Sequence, residues 1–250
     1  MESPYFALFM ADAQAPVYSP RSTHHRGSLS QHAYLVIRDR ILKGEIRLGA
    51  SLSRRKLAAE LNMSLLPVSE ALQRLENDGV VESVPRVGTR VCLPTPQDIR
   101  ERYEIREALE SQSARLFAEK ASPRERHELQ SMAEHMDALF NRSFGDQNRD
   151  PEFLYAVHSY HAQLHLRIAD CTGFRALRQA IEKNQVLTFN WLYDTAASRP
   201  PLPPRFHGEL IEALCNGDAE EADHAMRQHI RYGLNNVVRA IGPADGRKQS

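Results

Sequence analysis

Imidazole is the side chain in which this sequence is unusually rich, with eleven histidines among 250 residues. Three of them, His158, His161 and His165, fall in one apolar-periodic segment. At about 100° per residue in a helix, His158 and His165 lie about 60° and about 40° round from His161 in the same direction, one turn back and one turn on. The three therefore form a stripe. His207 stands near the start of a later segment and His229 in the middle of the last. Neutral imidazole suits Zn²⁺, Ni²⁺ and similar ions, and a metal site inside a helical bundle draws side chains from several facing helices. A helical histidine is also commonly a surface residue or a hydrogen-bonded core residue, and both alternatives stay open on spacing alone. A metal-dependent hydrolase would need a general base beside the ion. Glu209 or Glu212 has the right chemistry for that base, but no HExxH spacing supports either.

The elements that must position these histidines follow Pro94-Thr95-Pro96, which reads as a linker over 94–96. Residues 97–241 are helical in pattern throughout. Thr95 is placed to cap a helix running to about Lys120, and Ser122-Pro123 opens the next, since Pro is tolerated at the first helical position. Residues 141–149 read as a polar loop, and Asp150-Pro151 opens a helix to about Cys171. Gly173 separates it from one ending near Tyr193, and residues 196–204 form a Pro-rich connection. Residues 205–216 make a short helix that Gly217 stops. Asp218-Ala-Glu-Glu resembles a capping box for a final helix to about Ile241. The expected architecture is an all-α antiparallel bundle.

The first third of the chain has a different pattern. Residues 1–27 carry Pro4, Pro16, Pro20, His24, His25 and Arg26 with no sustained periodicity, and read as a mobile arm. Apolar residues then recur at helical spacing up to Leu42, and Gly44 is a stop. A turn over 45–51 leads to Ser53, which can cap a helix over 54–61. Ser64 can cap a third helix to Asn77, with Pro67 in its first turn and Val68, Ala71, Leu72 and Leu75 inward. Residues 80–84 and 89–93 flank Pro85-Arg86-Val87-Gly88 and read as a hairpin. Helix–helix–helix–hairpin over 28–93 is the winged helix-turn-helix pattern, and residues 242–250 are expected to fray.

Composition bounds the function classes. Lys+Arg and Asp+Glu both number 32, so overall basicity signals no nucleic acid. Residues 28–93, however, hold ten Lys/Arg against seven Asp/Glu, a net of +3, while residues 94–250 carry a net of −3. A positive excess on one face suffices for DNA. Cys92, Cys171 and Cys215 lie far apart, which excludes a disulfide framework and a CxxC motif and suits a reducing cytosol. No apolar run approaches the roughly 18 residues that span a bilayer. Residues 5–11 follow an acid, Glu2, so a secretory signal is not expected. These features point to a cytoplasmic protein with no membrane partner.

Ser53-Arg-Arg-Lys-Leu-Ala-Ala-Glu-Leu61, Met63-Ser-Leu-Leu-Pro-Val-Ser-Glu-Ala-Leu-Gln-Arg-Leu-Glu76, Asp78-Gly-Val-Val81 and Arg86-Val-Gly-Thr-Arg-Val91 resemble the GntR family of bacterial transcription regulators. The helical part resembles the ligand-sensing (FCD) domain of that family's FadR-like branch. Its markers are Tyr103-Glu-Ile-Arg-Glu-Ala-Leu-Glu110, Tyr160-His161-Ala-Gln-Leu164, His207-Gly-Glu-Leu-Ile-Glu-Ala-Leu214, Gly217-Asp-Ala-Glu-Glu-Ala222 and His229. The resemblance covers about residues 29–240.

It implies a homodimer bound to a two-fold operator in double-stranded DNA, with the helix after Ser64 entering the major groove. Arg55 matches a family position that contacts DNA. Ser64, Leu65, Pro67 and Ser69 occupy the reading end, and Arg86, Thr89 and Arg90 the wing. The family places arginines where Leu65 and Ser69 stand. Arginine reads guanine bidentately, whereas leucine meets only a thymine methyl or packs inward. The operator should therefore differ from the family's common one, with shape readout and the wing carrying more of the specificity. Leu65 and Leu66 as buried core is the competing reading. A domain that has lost DNA binding, leaving only a metabolite-binding module, is another.

For the bundle, the resemblance implies a divalent metal (Zn, Ni or Mn) on His161, His207 and His229. The family's aspartate falls at Val157, which cannot ligate, so His158 is a candidate fourth ligand beside a three-ligand or empty site. His165 and His224 are expected either to support the ligands from behind or to lie at the surface. The implied effector is a small carboxylate, for which Arg106 and Arg102 are candidate partners, with surface ion pairs to Glu110 and Glu101 as the alternative. Phe174 replaces a family Asn and suggests a less polar pocket.

Overall fold

A computed structural model describes residues 29–145, 150–195 and 201–241. The arm over 1–27, the tail over 242–250, and parts of the loop over 141–149 and the connection over 196–204 lie outside the described residues. The chain divides into two compact units between Pro94 and Thr95.

The first unit comprises α1 (Leu29–Leu42), β1 (Ser51–Leu52), α2 (Arg54–Glu60), α3 (Leu65–Asn77), β2 (Val81–Val84) and β3 (Gly88–Val91). Ile37 and Ile41 of α1 are buried with Leu57 of α2 and with Val68, Ala71, Leu72 and Leu75 of α3. That is the set the helical period places on one side. Ser53 caps α2, its hydroxyl accepting from the Lys56 N–H at 3.3 Å. Asn62 then turns the chain with φ 52°, left-handed backbone that Asn tolerates better than most residues. In the wing, β2 and β3 pair antiparallel, with Glu82 opposite Arg90 and Ser83 opposite Thr89. Arg86 (φ 66°) and Gly88 (φ 101°) make the turn. One strand was not legible in the residues. The segment expected as a turn over 45–51 ends in β1, which pairs with β3 and completes a three-stranded sheet of order β1-β3-β2. Two residues are too few for an alternation to register.

The second unit comprises α4 (Pro96–Lys120), α5 (Pro123–Gly145), α6 (Pro151–Cys171), α7 (Arg175–Thr195), α8 (Phe206–Cys215) and α9 (Ala219–Ile241). Thr95 and Asp98 form a reciprocal capping box at the start of α4. Ser122 and Glu125 exchange the same bonds at the start of α5. Asp150 and Asp218 accept backbone N–H groups at the starts of α6 and α9. Helix α5 runs on to Gly145, past the expected loop start at Asn141, and within that added turn the Ser143 hydroxyl donates to the Phe140 carbonyl at 2.7 Å. Helix α9 packs along α4, and α6 packs against α5, α7 and α4. Arg126 ties two helix ends together by donating to the carbonyl oxygens of Ala118 and Ala121 and of Cys215. The core includes Tyr103, Phe117, Leu129, Met136, Leu164, Ile168, Ile211, Leu214 and Ile230. Among the described residues no helix is long and apolar enough to cross a membrane.

Candidate functional site

Three helices of the second unit bring histidines to one interior point, and a fourth backs them. His161 comes from α6, His207 from the first turn of α8 and His229 from α9, and one ligand atom of each lies within 4.8 Å of the other two. His207 is fully buried, His229 nearly so, and His161 half-buried. The fourth helix, α5, contributes Asp137 and Phe140. Asp137 Oδ1 lies 2.7 Å from His207 Nδ1 and accepts the His207 N–H at 3.0 Å, while Oδ2 accepts the Gly208 N–H at 2.9 Å. The carboxylate therefore sits on the free N–H groups opening α8 and holds the imidazole proton on Nδ1. Nε2 of His207 is left buried and without a hydrogen-bond partner, facing the cluster. A buried polar atom so placed calls for a ligand. A Cβ on Gly208 would come 3.3 Å from Asp137 Oδ2, so glycine there admits the carboxylate. Phe140 stacks on His207 with centroids 5.3 Å apart, and Phe206 stacks on His229 at 4.5 Å.

The electrostatics keep these imidazoles neutral. Loss of solvent, reinforced by neighbouring His165, His207 and Arg106, lowers the pKa of His161 and His229 well below the ordinary value. Burial also lowers that of His207, against the opposing pull of Asp137. Burial works to raise the Asp137 pKa, but its bonds from His207 and the two backbone N–H groups bring it below the usual carboxylate value. A neutral imidazole with a free lone pair is the form that binds metal. The donors therefore fit a divalent cation.

A second polar group adjoins the first. Arg106 of α4 is buried, not on the surface, and its Nε donates to Glu110 Oε1 at 2.7 Å. Glu110 Oε2 lies 2.6 Å from His165 Nδ1. Burial pushes the Glu110 carboxyl up, but the Arg106 charge and His165 outweigh it and lower the pKa to about 2. His165, expected behind the ligands or at the surface, is buried beside them, with its Nε2 3.1 Å from His161 Nε2. His158 is buried beside Phe140, at 5.9 Å between centroids, and is not one of the three histidines that converge. Val157 is buried hydrocarbon. Arg102 is half-buried, its carbonyl accepting from Asn184 Nδ2 at 3.4 Å. Phe174 stands at the surface under the Lys120 ammonium, 4.0 Å from the ring centroid, so it does not form a pocket wall. Asp137, which orients His207, and Glu110, which lies against His165, were not legible as such. Each meets its partner only through tertiary packing.

In the first unit, Leu65 is 50% and Leu66 68% exposed, which overturns their reading as core. With about 100° between successive residues, Leu65, Leu66, Ser69, Glu70, Gln73 and Asn77 share one arc, opposite the buried row. Ser64 occupies the N-cap of α3 in extended conformation, but its hydroxyl makes no capping bond. The first-turn N–H groups and that hydroxyl can thus meet a phosphate. The Ser69 hydroxyl donates back to the Leu65 carbonyl at 2.8 Å, which commits its proton within the helix. Arg55 and Arg86 are exposed, and Arg90 pairs with Glu82 across the wing at 2.8 Å. Two expected DNA contacts need correction. Pro67 is buried beside Val68, shaping the first turn, and the Thr89 side chain is buried on the inner face of β3.

Comparison with known proteins agrees with this geometry. The model "Bacterial regulatory proteins, gntR family" matches residues 29–91, and the "FCD domain" model matches residues 101–232. A probable D-xylose utilization operon transcriptional repressor of Paenarthrobacter nicotinovorans is 30% identical over 84% of this chain and 89% of its own. The HTH-type transcriptional repressor RspR of Escherichia coli is 25% identical over 85% and 90%. Among solved structures, E. coli McbR/YncC superposes with a TM-score of 0.69 at 24% identity, over 86% of this chain and 99% of that one. A putative GntR regulator from Rhodococcus superposes at 0.67 and 20%, over 85% and 99%.

Proposed function

The chain belongs to the GntR family of bacterial regulatory proteins, in the branch carrying an FCD domain, and from that premise we propose how this ligand-responsive, DNA-binding transcriptional regulator works. It acts in the cytoplasm as a homodimer on a two-fold operator, because paired recognition helices need a pseudo-palindromic site. Its relatives are named repressors, and repression is the mode proposed here. The hydrolase alternative has no support in a family of regulators.

The observation that carries the sensing half is the convergence of His161, His207 and His229 within 4.8 Å, with Asp137 fixing His207. These three would hold Zn²⁺, Ni²⁺ or Mn²⁺. A divalent ion there supplies a positive centre to which a small carboxylate binds. Arg106 lies on the same side, with its Nη2 3.5 Å from His165 Nε2, and is the protein group placed to pair with that carboxylate. Arg102, one turn earlier, stands in reserve at the same helix face. The effector alters DNA affinity only by the difference in its affinity for two arrangements of the dimer, typically about 1–3 kcal/mol.

In the reading half, Leu65 and Leu66 meet thymine methyls while Arg55, Ser64 and Arg86 hold phosphates. The test is genomic footprinting with purified protein, followed by operator titration at several salt concentrations. Arg55→Ala should weaken binding across all sequences and flatten the salt dependence by about one counterion. An unchanged slope removes Arg55 from the interface, and failure to retain any genomic fragment at low salt overturns the DNA reading.

A further inference from the structure

The exposed face of α3 carries no cation. Arg74, the only basic residue between Leu65 and Asn77, is drawn back onto α1, where its guanidinium lies 4.1 Å from the Tyr34 ring centroid and donates to Gln31 Oε1. The Ser69 hydroxyl donates to the Leu65 carbonyl. Short of Asn77 at the far end, the polar groups left on that face are Glu70 and Gln73. Both are exposed, and among the described residues neither makes a hydrogen bond or an ion pair. Resting on the placement of α3 in the major groove proposed above, we infer that Glu70 reads a cytosine and Gln73 an adenine. The helix then selects its half-site through base amino groups and thymine methyls, and not through guanine.

At about 100° per residue, Glu70 and Gln73 fall within about 40° of Leu66. That side of the helix is opposite Val68, Ala71, Leu72 and Leu75, which are buried. With a rise of 1.5 Å per residue, the two follow Leu66 by about 6 and about 10.5 Å along the axis. Base pairs in a duplex repeat about every 3.4 Å. The three side chains therefore meet different base pairs along a groove that admits a helix. An ionised carboxylate only accepts hydrogen bonds. The donors exposed in the major groove are the cytosine N4 and adenine N6 amines, and adenine sets the N7 acceptor beside its amine, where a second carboxylate oxygen would be repelled. Glu70 thus suits cytosine. A carboxamide donates and accepts at once, which matches adenine N6 and N7 together. Guanine shows two acceptors, N7 and O6, and the arginine or lysine that pairs with both is absent from this face. A carboxylate brought between phosphates also weakens every site that offers it no amine, so Glu70 discriminates by repulsion as well as by attraction.

Selection from random duplexes, with the full-length protein and its Glu70→Gln and Gln73→Glu variants, tests this pairing. Both positions are exposed, so the fold tolerates the exchanges. Glu70→Gln should turn one cytosine of the selected half-site into adenine. Gln73→Glu should turn an adenine into cytosine at a second position. Titration of matched and swapped duplexes at fixed salt should show each preference as about tenfold. In addition, 7-deazaadenine, which lacks the N7 acceptor, should weaken the wild type about fivefold or more at the second position and leave Gln73→Ala unaffected. An unchanged motif in either variant overturns the proposal. That holds even if Glu70→Gln binds all duplexes more tightly, which would mark its carboxylate as a repulsive charge alone. Failure of the wild type to retain any duplex at low salt overturns the placement of α3 in the groove along with it.

Discussion

At the scale of single residues, the candidate site depends on groups that never meet the ligand. Asp137 satisfies two helix-opening N–H groups and one imidazole nitrogen at once. Removing it frees the His207 ring to rotate and its proton to migrate to Nε2, where it would block ligation. Asp137→Ala should therefore weaken metal binding by about 10–100-fold in a competition titration, although no ligand is lost. An unchanged affinity would show that packing against Phe140 orients the ring unaided. On the other unit, Leu65 is exposed at the reading end of α3. Leu65→Arg should shift a selection from random DNA toward guanine, because guanidinium donates to both guanine O6 and N7. No shift would mean that position 65 stands clear of the base edges.

At the scale of elements, helix ends were the most legible feature. Thr95, Ser122, Asp150 and Asp218 open the helices their side chains suit, each accepting from the first turn. Thr95→Ala removes one half of a reciprocal box and should cost about 1 kcal/mol in chemical denaturation. A loss below a few tenths would mean that Asp98 alone supports the end. Helix C-termini and short strands were less legible. Helix α5 overruns its expected stop at Asn141, carrying Asn141 and Arg142 exposed on its last turn, so a run of polar residues did not mark its end. Strand β1 exists only because β3 offers an edge to pair with.

At the scale of the molecule, burying several imidazoles together makes stability depend on pH. The unfolded chain protonates His161 and His229 near their ordinary pKa of about 6.5, while the folded chain resists until well below it. The unfolded state then binds more protons, so the metal-free protein should lose stability as pH falls from 7.5 through 6.5 to 5.5. Glu110 acts lower. Its folded pKa of about 2 keeps its contribution intact above the unfolded value near 4.5, and that contribution fades only as pH falls from there toward 2. Denaturation of the stripped protein at several pH values, repeated with His161→Gln/His229→Gln, checks the assignment. The double variant should flatten the slope between pH 7.5 and 5.5, and an unchanged slope would place the proton uptake elsewhere.

Periodicity and cap residues in the sequence determined the two-part organisation, the helix starts, the wing hairpin and the inward row of α3, while the exposure of Leu65 and Leu66 was decided by the structure. Each of these depends on neighbours within a few positions, so local composition carries it. The motifs likewise pointed to His161, His207 and His229. Only the tertiary structure decided which side chains stand behind them. His207 and Asp137 are separated by 70 residues, and Arg106 and His165 by 59, and nothing in a one-dimensional pattern records such a meeting. Burial decided the rest. It withdrew Pro67 and Thr89 from the surface offered to DNA and drew Arg106 and His165 into the interior, because whether a polar side chain can be covered depends on a partner being there to satisfy it.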